Sequence, residues 1–94
     1  MTFKQLASAF ALLGVATAAA HAEGNVQAGQ SKAASVCVAC HGLDGNSVNP
    51  EWPSIAGQHA DYIVKQVKAF RAGQRTNTLM SPIAMTLTDQ EIED

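Results

Sequence analysis

The sequence predicts an all-α domain. Two segments repeat apolar residues at the helical spacing, a helix-start signature stands at Thr88, and the stretches between are rich in turn formers or lack any regular period. From Asn25 to Cys40, Val26, Ala33, Val36 and Cys40 recur at three- and four-residue intervals with Gly29 among them, and Asn25 is suited to cap the helix start. Gly42 to Pro53 is dense in glycine, asparagine and proline, the composition of an ordered loop. A second helix is expected from His59 to Ala72, with Ile63, Val67 and Phe70 on one stripe, flanked by Tyr62 and Ala69. Gly73 is placed to end it in the left-handed conformation.

Gln74 to Leu87 has neither period and contains Pro82, so it reads as an extended loop that holds both Met80 and Met85. Thr88 and Glu91 then match a capping box, with Leu87 and Ile92 at the positions of a hydrophobic staple. A helix begins there with one or two turns before Asp94, whereas isolated helices shorter than about 12 residues are marginal. The expectation is therefore a C-terminally truncated piece whose final helix runs on in a longer protein.

Residues 1–22 read as a secretory signal peptide: Lys4 precedes an apolar run from Leu6 to Ala16, and Ala20 and Ala22 put small residues before a cut ahead of Glu23. The run is about half the 20 residues a spanning helix needs. The folded domain is then 23–94, short enough that folding buries only about 60% of the unfolded surface. Such a domain needs a staple. The two cysteines stand three apart beside a histidine, not in a bridging pattern, which favours a cofactor over a disulfide. The formal net charge of −2, more negative once Lys4 leaves, excludes nucleic acid as an expected partner. The remaining bases are Lys32, Lys65, Lys68, Arg71 and Arg75. Four of them fall in one short segment, either a patch for an acidic redox partner or a solvated helix face.

Cys37, Cys40 and His41 form a CxxCH sequence, the signature of covalent haem attachment. On a helix the three side chains project from nearly one face. Each thiol can add to one vinyl group of a porphyrin, and the tether then holds the His41 imidazole at the iron. Zinc fits less well, because a structural site needs four ligands and only His59 or an acid is left to complete the set. A redox dithiol also fits less well, because no strand pattern leads into Cys37. Methionine is the usual ligand closing the sixth position of such an iron, and Met80 and Met85 are the two candidates.

With CxxCH after an N-terminal helix, followed by a proline and a loop methionine, the chain resembles class I cytochromes c. Gln58, Tyr62, Gln66, Phe70, Gly73 and Arg75, then Met80-Ser81-Pro82 and Leu87-Thr88-Asp89, are similar to the first haem domain of the di-haem cytochrome c4 group, over Gly24 to Asp94. The resemblance implies the class I cytochrome c fold, with helices around one haem c bound through two thioethers. It selects Met80, eight residues before the residue opening the last helix, as the partner of His41 on the iron. It makes Pro53 the residue whose carbonyl accepts from the His41 ring N–H and so orients it, and sets Ile55 against the porphyrin. It places Gly29 at a crossing with a C-terminal helix absent from this sequence, and Ala33 departs from the aromatic many class I members carry. It also implies a second haem domain beyond Asp94.

The expected function is electron transport in the periplasm, with no enzymatic activity, and with membrane-bound respiratory oxidoreductases or a terminal oxidase as partners. The alternatives are a haem-bearing subunit or module of a larger oxidoreductase, and a small sensor or peroxidase whose sixth position opens. Arg75 is a candidate to pair with a haem propionate, or else a surface residue. Trp52 is a candidate for the haem edge or the core, and His59 reads as a solvated residue at a helix start.

Overall fold

Helices form where the apolar periods put them. The computed structural model describes residues 24–94; the expected signal peptide, 1–22, lies outside the described residues. The elements are α1 (Val26–Lys32), a π-helical turn (Ala33–Cys37), α2 (Val38–His41), α3 (Ala60–Ala72), α4 (Met80–Met85) and α5 (Asp89–Glu93). Asn25 caps α1 as its residue type suggests, its side-chain oxygen accepting from the Ala28 amide at 2.9 Å. The π turn interrupts what the sequence reads as one helix. Each such turn accommodates one extra residue, so it turns everything beyond it back by roughly 100° around the axis relative to an unbroken α-helix.

The α3 helix ends as expected. The Gln74 amide bonds the Ala69 carbonyl at 3.0 Å, the Gly73 amide bonds the Phe70 carbonyl at 3.4 Å, and Gly73 has φ 77°. This pair of bonds is a Schellman motif. The chain after it departs from the expected extended loop, because Met80–Met85 is helical. Asn77 supplies the missed start signal: its side-chain oxygen accepts from the amides of Leu79 at 2.9 Å and Met80 at 3.0 Å. Pro82 stands in the first turn, where amides have no partner within the helix, so its missing donor breaks no bond there.

The capping box at Thr88 is present in both directions. Thr88 Oγ1 accepts from the Glu91 amide and Glu91 Oε1 accepts from the Thr88 amide, each at 3.1 Å. α5 packs against α1 and α3. The crossing with Gly29 is therefore made within this sequence: a Cβ on Gly29 would collide with the main-chain oxygen of Asp94. Each base near α5 is taken by one of its acids: Lys32 pairs with Glu91, Lys68 with Glu93 at 2.9 Å, and Arg71 with Asp89. The expected basic patch is thus divided, since Lys68 and Arg71 point into the α3–α5 contact. A crevice of about 200 Å³ beside this crossing is lined by Ala33, Ile63, Val67 and Ile92 among others, which is where an aromatic in place of Ala33 would lie.

Two outcomes follow. Thr88→Ala removes one half of the capping box and costs about 1 kcal/mol in chemical denaturation of the haem-loaded protein. Glu91 is held below its ordinary 4.5, at about 2, first by the Lys32 ammonium and then by the Thr88 amide. Because the folded state depresses this pKa, its stabilisation is complete above about pH 4.5 and fades as the pH falls toward 2. An acid titration followed by circular dichroism should therefore show a smaller loss in this window for Glu91→Gln than for the parent.

Candidate haem-binding site

His41 closes α2 and is only 9% exposed, the one buried polar residue among those described. The helix stops there because Gly42 takes φ 82°, and a Cβ at that position would collide with the Asn46 carbonyl. The loop then folds back on itself. The Gly45 carbonyl accepts from the amides of Ile55 at 2.8 Å and Ala56 at 3.0 Å, while Ser54 Oγ accepts from the Ser47 amide at 3.0 Å. These ties bring the Pro53 carbonyl to 2.7 Å from His41 Nδ1. A carbonyl can only accept, so Nδ1 carries the proton and the ring's lone pair lies on Nε2. The loop thereby sets both the tautomer and the orientation of a nitrogen whose lone pair is free to coordinate a metal.

A cavity of about 610 Å³ opens beside this imidazole, with walls from α2, the loop, α3 and α4. Its size lies within the range of about 300–1,000 Å³ usual for small-molecule and cofactor sites. Val36, Ile55, Val67, Phe70, Ile83 and Leu87 make the walls largely apolar, and Trp52 joins them at the loop. Cys37 and Cys40 both line the cavity, half-buried and not bridged to each other. Burial pushes the Cys37 thiol up, against the pull of the nearby Lys32 charge. Met80 lines the same cavity from α4, whereas Met85 is 70% exposed and does not. His59 caps α3 without a side-chain bond and is exposed, as a solvated residue there would be.

Sequence reasoning missed two features of the site. The π turn lies immediately before Val38 and ends on Cys37 itself. Nothing in the pattern of small residues from Ala33 to Cys37 signals a wider turn. Gln58, just before α3, and Tyr62 and Gln66 on it line the cavity wall as a polar stripe; their four-residue spacing was legible, but not which way that stripe faces.

One imidazole nitrogen, two thiols and a thioether around an apolar cavity fit a porphyrin iron tethered to the chain. The cytochrome c family model matches residues 26–94. The chain belongs to the cytochrome c family. It is 56% identical over 77 residues to cytochrome c4 of Thiocapsa roseopersicina, covering 82% of this chain and 40% of that protein. It is 46% identical over 91 residues to cytochrome c4 of Pseudomonas aeruginosa, covering 97% of this chain and 44% of that protein. The thiosulfate dehydrogenase electron acceptor of Stutzerimonas stutzeri is 41% identical over 68 residues, covering 71% of this chain and 32% of that protein. The chain thus spans under half the length of these relatives.

Membership of the cytochrome c family brings haem c as the covalent cofactor, and Cys37 and Cys40 stand at the spacing for its two thioethers. Replacing both by alanine in protein matured in a competent host should leave haem that acidified acetone extracts. Either single variant should keep one link and resist extraction. Full extraction from a single variant would mean that one cysteine carries the whole attachment.

Proposed function

We propose that this domain is a periplasmic electron carrier in which His41 Nε2 and Met80 Sδ hold the haem iron from its two sides. When bound, the haem supplies an iron that exchanges one electron between ferrous and ferric states. The chain's own residues do the rest. His41, clamped by the Pro53 carbonyl at 2.7 Å, keeps its ring fixed as charge on the metal changes. The neutral, soft thioether of Met80 favours the ferrous state and raises the reduction potential relative to a second imidazole. Ile55 excludes water from the porphyrin face, and the apolar walls lower the local dielectric. The observation that carries this reading is the arrangement of a buried imidazole of defined tautomer and a methionine on the wall of one apolar cavity.

With His41 and Met80 both holding the metal, the bound haem would supply electron exchange that requires no substrate to reach it. This supports a carrier and argues against a sensor or peroxidase. The apolar run at residues 6–16 and the Ala20-His21-Ala22 sequence support export through a cleaved leader ending at residue 22. Likeness to cytochrome c4 supports membrane-bound respiratory oxidoreductases or a terminal oxidase as partners, and a second haem domain in the whole protein. A second reading, a haem module serving a larger oxidoreductase, is favoured by the relative named as an electron acceptor of thiosulfate dehydrogenase. Reduction of the purified protein by such a dehydrogenase, set against reduction by a quinol-oxidising membrane fraction, separates the two.

Met80→Ala should lower the reduction potential, give a high-spin ferric spectrum and let carbon monoxide bind the reduced protein. Met85→Ala should keep the parent spectrum, because its side chain lies outside the cavity. A low-spin parent-like spectrum for Met80→Ala would reverse the assignment.

A further inference from the structure

The cavity wall carries two charged residues of opposite sign, Arg75 and Glu51. Arg75 differs from the bases around α5. Lys32, Lys68 and Arg71 each have a carboxylate partner; among the described residues Arg75 has none. Its position is nonetheless built. The Schellman turn folds the chain back so that the Arg75 amide bonds the Ala69 carbonyl at 3.1 Å. Its guanidinium carbon lies 4.6 Å from the ring centroid of Phe70, a residue only 8% exposed. Gln66 Oε1 then accepts from Arg75 Nη1 at 2.7 Å.

Phe70 covers one face of the guanidinium and Gln66 occupies one of its nitrogens. The remaining N–H groups form a fork suited to a carboxylate. The group is preorganised, so little side-chain entropy is lost when that carboxylate arrives. A haem brings two propionates, which must leave the apolar part of the cavity. Glu51 would repel them on its own side; Arg75 would attract them.

We propose that Arg75, braced by Gln66 and Phe70, binds a haem propionate, and so holds that propionate in one position at the cavity wall and raises the reduction potential. The inference rests on the haem reading above. A positive charge beside the porphyrin favours the ferrous form, which carries one unit less positive charge than the ferric. Arg75 is a positioning residue: it acts on the iron through the propionate and is not a ligand.

The test uses the haem-loaded protein with Arg75→Gln, Arg75→Lys and Gln66→Leu. Resonance Raman spectra report the propionate bending modes, and a spectroelectrochemical titration gives the potential. Arg75→Gln should shift a propionate mode and lower the potential while the low-spin spectrum and covalent haem content stay as in the parent. Arg75→Lys should restore most of the potential but not the parent mode, because an ammonium cannot offer the fork. Gln66→Leu, which removes the brace and keeps the charge, should shift the mode with a smaller fall in potential. Propionate modes identical in Arg75→Gln and the parent would overturn the inference even if the potential fell. A parent protein that matures without covalent haem would instead overturn the functional reading itself. If Arg75→Gln does not accumulate, parent-like modes in both Arg75→Lys and Gln66→Leu would overturn the inference in its place.

Discussion

The bond between His41 Nδ1 and the Pro53 carbonyl is the constraint around which the site is arranged. A histidine buried at the end of a four-residue helix would have two ring nitrogens and no fixed orientation. The carbonyl at 2.7 Å removes that freedom by accepting a hydrogen bond from the ring Nδ1–H. Everything from Gly42 to Ala56 serves to present that carbonyl: the positive φ at Gly42, the double acceptance by the Gly45 carbonyl, and the Ser47–Ser54 bond. The loop has little regular structure because its task is to hold one backbone oxygen under one side chain.

The second organising feature is the attachment of α5. Five residues make too short a helix to stand alone. Its capping box satisfies amides at its start, Ile92 is buried, and three acids reach bases on α1 and α3. Exposed ion pairs of this kind each contribute little, typically about 0–1 kcal/mol. Their role is better read as geometric, since they hold the end of α5 against Gly29, where no side chain keeps the backbones apart. That contact fixes α1, and the π turn then carries the orientation of α1 into Cys37, Cys40 and His41.

The π turn matters for that transfer. On an unbroken α-helix Gly29 and His41, twelve residues apart, would point about 120° away from each other. One accommodated residue takes back roughly 100°, so the side that meets α5 and the side that presents His41 nearly coincide. One helix thereby serves both the packing contact and the cavity.

Local chemistry written in adjacent residues was legible in the sequence. The Asn25 cap, the Gly73 stop, the Thr88–Glu91 box and the CxxCH spacing each depend on residues within five positions of one another, and each was readable without a structure. The helix at Met80 was missed because Pro82 dominates a reading by pattern, while the capping by Asn77 that makes it possible lies five residues earlier. The fate of the bases was also hidden, because whether Arg71 meets solvent or Asp89 is decided by a contact eighteen positions away. The sequence by itself therefore determined an all-α class, the helix ends and the residue types able to tether a porphyrin. Only the tertiary structure decided which methionine shares the cavity with His41, which of the described bases meet a carboxylate, and which side of each helix faces inward. Those outcomes depend on the angles at which elements distant in the chain meet, and no run of neighbouring residues specifies such an angle.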